Sequence, residues 1–291
     1  MNPGYLFALI TILIFGSWAV PTKTLGQNPL VKTFWLTLGH LIVALAIFIF
    51  LLKDLQFQGL IYPFLAGILW AIGMSCGYIS IKHLGITRAL GIFVPLQIVI
   101  SALWGLIFFR EAAALNSEKL ILTIFSVSLL SLAALFMVLS GKEKQVSIGN
   151  LKIGVIAAIV LAFFHGSFFV PLKASVLPYH VTFLALSLGM VLTAIIIIAY
   201  NKLKIADSLV NIGKMTLSGL MLGVGNFTAL LTIQYLGVSH GYPLTQLGIV
   251  INTLWGVFLF KEVKSLRSRL LIAIGVLAAI IGAVILNSAR A

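Results

Sequence analysis

Runs of about 20 apolar residues recur from one end of the chain to the other, each long enough to cross the hydrocarbon of a bilayer. Hydropathy and the Gly/Pro breakers mark ten of them: 5–20, 31–52, 59–81, 89–109, 119–140, 151–170, 181–200, 216–235, 242–260 and 269–286. Lipid offers backbone N–H and C=O groups no partner, so each run must satisfy its own hydrogen bonds as a helix or join a closed barrel. A barrel needs strands of alternating polarity. Stretches such as 41–52 and 192–199 are apolar without alternation, which leaves helices. Composition agrees: 61% of the 291 residues are apolar and 9% charged, against about 45–50% and about 25% in soluble domains. The expected fold is an all-α integral membrane bundle of ten transmembrane helices. The intervening loops are too short for a separate soluble domain.

The formal charge of +13 does not predict a nucleic-acid partner. Its lysines and arginines lie in short segments between apolar runs, with no basic stripe or nucleic-acid motif. Cys76 is the single cysteine, so no intrachain disulfide forms, and no metal-ligand spacing or cofactor motif occurs. No basic residue precedes the first apolar run, which therefore reads as a retained helix rather than a cleaved leader.

The chain repeats itself. Gly16-Ser17-Trp18-Ala19-Val20-Pro21-Thr22-Lys23 returns as Gly166-Ser167-Phe168-Phe169-Val170-Pro171-Leu172-Lys173. Thr37-Leu38-Gly39 returns as Ser187-Leu188-Gly189, and Leu84-Gly85 as Leu236-Gly237. Leu103-Trp104-Gly105, with Phe109-Arg110-Glu111 behind it, returns as Leu254-Trp255-Gly256 with Phe260-Lys261-Glu262. The offset stays between 150 and 152 throughout. Residues 1–145 and 146–291 therefore read as two copies of one five-helix unit. An odd number of crossings makes the second copy enter from the opposite face, an inverted-topology repeat with a solute site near the midplane.

Orientation follows from the basic residues. The side holding the odd-numbered loops carries Lys23, Lys32, Lys82, Arg88, Lys142, Lys144, Lys152, Lys202, Lys204, Lys214, Lys261, Lys264, Arg267 and Arg269, 14 of the 19. The other side carries Lys53, Arg110, Lys119, Lys173 and Arg290. The positive-inside rule puts the first group in the cytoplasm. Both termini are then outside, in what reads as a plasma (inner) membrane.

The repeated Gly-Ser-aromatic-x-Val-Pro-x-Lys segment and the Leu-Trp-Gly segment resemble the drug/metabolite transporter superfamily. Within it they are most similar to the glucose/ribose porter and L-rhamnose–proton symporter branches. The resemblance covers essentially the whole chain. It implies a secondary transporter whose cavity is lined by helices 1, 3, 4, 6, 8 and 9, with helices 5 and 10 peripheral or facing a second copy in a homodimer. Small multidrug members of that superfamily use a glutamate in helix 1, and this chain has none there.

Polar side chains inside apolar spans are costly and turn toward the bundle interior. His165, beside the second Gly-Ser motif, can exchange hydrogen bonds with a hydroxylated solute or take a coupling proton. Its register partner is Phe15. Asn226, partner of Met74, offers amide donors and an acceptor, as do Gln97, Gln246 and Asn252. Trp18 and Phe168 can stack on the apolar face of a sugar ring. These seven are the candidate solute-binding residues. His40 joins His165 as a candidate for coupling, and Lys23 and Lys173, which follow the paired prolines, for gating. Trp104 and Trp255 read as structural, as do Trp35 and Trp70. The GxxxG segments at Gly73–Gly77 and Gly219–Gly223 read as close helix packing.

All six carboxylates, Asp54, Glu111, Glu118, Glu143, Asp207 and Glu262, lie at or beyond span ends. Glu111 and Glu262 each follow a basic residue, an arrangement that predicts a weak exposed pair. With no mid-membrane counter-charge, a hydrophobic cation is disfavoured. The expected cargo is a small, largely uncharged polar solute, preferably a monosaccharide, moved by alternating access and coupled to protons or facilitated. The alternative is an exporter of amino acids or related metabolites. An enzyme would need a nucleophile or metal motif: HExxH and paired carboxylates are missing from the sequence, and the two Gly-x-Ser-x-Gly strings, 73–77 and 237–241, lie in the apolar bundle without the strand-to-helix setting of a nucleophile elbow. No selectivity-filter motif suggests a channel.

Overall fold

The computed structural model describes residues 2–51, 58–108, 116–140, 149–175 and 177–290. The helices, numbered along the chain, are α1 (Pro3–Ser17), α2 (Pro29–Phe50), α3 (Ile61–Leu103), α4 (Ser117–Ser140), α5 (Leu151–Ser167), α6 (Phe169–Lys173), α7 (Tyr179–Tyr200), α8 (Leu209–Gln246), α9 (Gly248–Leu254) and α10 (Leu266–Arg290). Among the described residues there is no strand, and eight helical stretches are long and apolar enough to span a membrane.

Helix starts follow local capping rather than hydropathy. Asn2 Oδ1 accepts from Gly4 N, Asn28 Oδ1 from Leu30 N and Asn150 Oδ1 from Ile153 N, at 2.9, 2.9 and 3.1 Å. Pro3 and Pro29 stand at first-turn positions, where no N–H is needed. α8 opens at Leu209 behind a Ser208 cap, seven residues before the expected 216. Its first turns are amphipathic, and hydropathy alone does not register them.

The count of ten separate spans changes at α3. Helical bonding runs through the expected break at 82–88, so spans three and four form one element with a kink at Gly85 (φ 81°, ψ 174°). A straight helix over Ile61–Phe108 would reach roughly 70 Å, more than twice a hydrocarbon core of about 30 Å. The rings of Trp70 and Phe93, on opposite arms, lie 5.0 and 5.3 Å from the His165 ring. The arms therefore fold back beside one another, and the left-handed backbone at Gly85 makes the turn. Spans eight and nine differ similarly: helix continues through Gln246, and only the short stretch Leu244–Leu259 follows as a further apolar helix.

Both copies of the Gly-Ser…Pro-x-Lys segment break a helix. α1 ends at Ser17 and a 3₁₀ turn spans Val20–Thr22 around Pro21. α5 ends at Ser167, and α6 is a single short helix around Pro171. Proline lacks the N–H that would continue each helix.

The molecule carries its apolar side chains outward and many small polar ones inward. Phe50 and Tyr200 are each 86% exposed, whereas Thr11, Thr37 and His40 are fully buried. Lipid is as apolar as leucine, so helix association rests on close packing and interhelical hydrogen bonds. Gly39 on α2 meets the Thr216 carbonyl and Gly219 of α8, while Gly189 on α7 meets the Phe64 carbonyl and Gly67 of α3. A Cβ at any of the four would strike backbone. The GxxxG segments do pack closely, Gly73 and Gly77 on α5, and Gly219 and Gly223 on α2. They are not register partners, however: Gly67 pairs with Gly219, and Gly73 with Gly225. α4 packs on α10 at one side of the bundle.

Candidate functional site

A cavity of about 210 Å³ lies among the helices. That is about seven water volumes, room for one small solute. α1, both arms of α3, α5, α7, α8 and α9 contribute to its wall. The lining by α7, through Phe183, Leu186 and Met190, was not expected from the resemblance. All seven residues singled out for solute binding (His165, Asn226, Gln97, Gln246, Asn252, Trp18 and Phe168) line this one cavity. Trp70, read as structural, lines it too, together with Phe15, Met74 and Phe93. An aromatic in an apolar span gives no sign of which way it faces, so only its neighbours reveal the role.

The imidazole of His165 is built into the wall. Its Nε2 hydrogen-bonds the Trp70 carbonyl at 3.0 Å, and its ring stacks on the indole of Trp70. Asn226 Nδ2 donates to His40 Nε2 at 3.0 Å. Asn252 Nδ2 donates to the Phe15 carbonyl at 3.2 Å, while its buried Oδ1 has no partner. Gln246 Nε2 donates to Thr245 Oγ1 at 3.1 Å. No charged side chain lines the cavity among the described residues. His40 itself does not line it: the ring is fully buried one hydrogen bond behind Asn226.

Lys23 lies elsewhere, in an ion pair that joins distant parts of the chain. Its Nζ is 2.6 Å from Glu262 Oε1, with side-chain exposures of 12% and 2%. The same carboxylate accepts from Ile86 N at 2.8 Å and Thr87 N at 3.0 Å, the first free N–H groups after the Gly85 kink. A helix N-terminus favours an anion, and a Cβ at Gly85 would come within 2.5 Å of Glu262 Cδ. Glu262 is therefore not the exposed partner of its neighbour Lys261; it is buried and bridges Lys23 to the second arm of α3. Lys32 braces the segment carrying Lys23, donating to the Thr22 and Leu25 carbonyls at 3.1 and 2.6 Å. Glu111, Arg110, Phe109, Lys53, Asp54, Lys142, Glu143, Lys144 and the side chain of Lys173 lie outside the described residues.

Trp104 and Trp255 close the picture as structural residues. Trp104 Nε1 donates to Ser167 Oγ and Trp255 Nε1 to Ser17 Oγ, both at 2.8 Å. Each joins a tryptophan to the Gly-Ser motif of the other segment.

Membrane-length helices around a central, uncharged cavity define an integral, multi-pass membrane protein built to handle a small molecule. The sugar transport protein family model matches residues 6–289, and the chain belongs to that family. It is 29% identical over 290 residues to the glucose uptake protein GlcU of Bacillus subtilis, covering 98% of each chain. It is 28% identical over 292 residues to a Bacillus anthracis protein named "Putative sugar uptake protein", covering 99% of this chain and 100% of that one. A solved crystal structure shares the fold, with a TM-score of 0.62 at 15% identity over 97% of this chain and 95% of the other.

Proposed function

We propose that this sugar-transport-family protein carries a monosaccharide across the plasma membrane by alternating access of two inverted five-helix units, 1–145 and 146–291. Counting the two arms of α3 separately, and Leu244–Leu259 as a crossing apart from Leu209–Leu236, gives ten crossings. Contacts that recur with the partners exchanged support the pseudo-two-fold. Trp104 reaches Ser167 as Trp255 reaches Ser17, and Gly16 meets Ile251 as Gly166 meets Ile100. The glycine pairs 39/219 and 67/189 exchange in the same way.

The observation that carries the solute class is the cavity lining. Trp18, Trp70 and Phe168 offer ring faces, and Asn226, Asn252, Gln97 and Gln246 offer amides, with no charge beside them. Such a pocket suits a neutral polyhydroxylated ring. It suits a zwitterionic amino acid poorly, because both its charges would be buried unpaired. The names of the relatives point the same way. His165 is the cavity group placed to bind solute or a coupling proton, and the Lys23–Glu262 pair is the gate of its face, the cytoplasmic one by the positive-inside rule.

Purified protein in liposomes, preloaded with glucose, is expected to exchange labelled glucose with saturation and trans-stimulation. Competing amino acids are expected to leave that exchange unchanged. Absence of flux for a panel of monosaccharides removes the sugar reading, and inhibition by amino acids transfers it to the alternative cargo. An imposed pH gradient separates coupled from facilitated transport: accumulation above the outer concentration assigns coupling.

A further inference from the structure

Behind the cavity wall, a chain of hydrogen bonds runs from Asn226 through His40 and Ser187 to the Phe183 carbonyl. Asn226 Nδ2 is 3.0 Å from His40 Nε2, His40 Nδ1 is 2.9 Å from Ser187 Oγ, and Ser187 Oγ is 2.7 Å from Phe183 O. A backbone carbonyl only accepts, so the serine proton points at Phe183. Ser187 Oγ must then accept from His40, which places the imidazole proton on Nδ1 and leaves Nε2 bare. A bare Nε2 accepts only from the amide nitrogen of Asn226. The direction of the whole chain is thus set at its far end. Turning the Asn226 amide over would require the other tautomer and would take the serine proton away from Phe183.

Asn252 is fixed by the same logic. Its nitrogen is committed to the Phe15 carbonyl, and its oxygen is buried without a partner. Both amides therefore turn their nitrogens toward the protein, with one N–H of each committed there, and hold their oxygens on the opposite edge. A buried acceptor left unpaired is costly, and on a residue that lines the cavity such an oxygen can be relieved by a hydroxyl donor.

We propose that His40 is a positioning residue that sets the hydrogen-bond polarity of Asn226, so that this amide, like Asn252 held by the Phe15 carbonyl, reads solute hydroxyls as donors. The proposal rests on the monosaccharide reading for its choice of probe. The probes are glucose and its singly fluorinated deoxy derivatives, in which fluorine fills the space of a hydroxyl but cannot donate. Proteoliposomes with the unaltered protein are expected to lose about tenfold or more in kcat/KM when fluorine replaces the hydroxyl facing Asn226. His40→Phe is expected to bring that ratio to within about threefold, while the ratio at the position read by Asn252 stays unchanged. A merely structural role for His40 would lower all rates together and leave the ratios alone. Equal transport of glucose and every fluoro derivative overturns the proposal, as does His40→Phe with unaltered ratios. The tautomer is read without solute by nitrogen NMR of histidine-labelled protein, with His40 assigned by its substitution. Protonated Nδ1 and bare Nε2 support the positioning role, and a ring protonated at Nε2 overturns it. If no monosaccharide is carried, the sugar reading fails, and the tautomer still decides whether His40 orients Asn226.

Discussion

Residues 1–145 and 146–291 bring different things to the cavity they share. The first segment supplies Phe15, Trp18, Trp70, Met74 and Phe93, with Gln97 as its polar contribution. The second supplies the other polar groups, His165, Asn226, Thr245, Gln246 and Asn252, beside apolar lining of its own such as Phe168, Phe183, Leu186 and Met190. At register positions the contrast is direct: Phe15 against His165, Met74 against Asn226. The contacts that hold helices together are instead nearly the same in both. Gly16 and Gly166, Gly39 and Gly189, and Ser17 and Ser167 make equivalent contacts across the molecule. Backbone approaching backbone tolerates no Cβ, and an indole N–H in lipid tolerates no missing acceptor. A cavity wall faces space, so its residues can diverge without costing the fold. Both segments thus supply apolar wall, while the polar lining is concentrated in residues 146–291.

The largest expected effect comes from breaking the ion pair at the Gly85 kink, whose register counterparts, Glu111 and the side chain of Lys173, lie outside the described residues. Glu262 serves Lys23 and two backbone N–H groups from a nearly dry position. Removing one partner of such a pair leaves the other charge buried alone, at about 3–5 kcal/mol. Glu262→Ala is expected to lower the unfolding midpoint in detergent strongly, and Lys23→Met by a comparable amount. Lys23→Met together with Glu262→Ala is expected to cost clearly less than the two single changes added. Additive losses would mean that the pair is not one unit, and the gate assigned to this face would go with it.

Within the cavity, the comparison is tested by making the second segment resemble the first. Asn226→Met copies the residue at the register position and removes the amide that His40 orients. A lost or orphaned hydrogen bond of this kind costs roughly 1–3 kcal/mol, which lowers kcat/KM for glucose by roughly 5- to 150-fold. Met74→Leu, a volume-conserving change on the apolar wall, should cost less than about 1.5 kcal/mol. Equal losses at the two positions would erase the difference between the polar and the apolar lining.

How much of this was legible in the sequence follows from what each signal is made of. The all-helical membrane class and most helix positions come from apolar run length, which is local. Polar groups such as His165 and Asn226 stand out because an apolar span has few reasons to hold them. Trp70, Phe183 and Phe93 gave no such signal, since an aromatic in a span can face lipid, a neighbour or a cavity. The Glu262 site was hidden for another reason. Its three contributors, Lys23, the Gly85 kink and Glu262, meet only in three dimensions, and a carboxylate beside Lys261 at a span end looks exposed. The hydrogen bond from Asn226 to His40 likewise joins α8 to α2 and has no counterpart at Met74.

The smallest expected effect is the most direct test of equivalence. Trp104 and Trp255 each begin a π-helical turn, Trp104–Phe108 and Trp255–Leu259, and each donates to the serine of the opposite Gly-Ser motif. Replacing indole with phenyl removes one hydrogen bond and keeps most of the packing. Trp104→Phe and Trp255→Phe are therefore each expected to cost about 0.5–1.5 kcal/mol, visible as a modest drop in unfolding midpoint. If the two segments are copies of one unit, the two drops agree within error and add when combined, because the bonds share no atoms. A large loss at one tryptophan and none at the other would show that only one of these bonds holds the bundle, and the similarity of the pair would then be a matter of geometry without equal energetic weight.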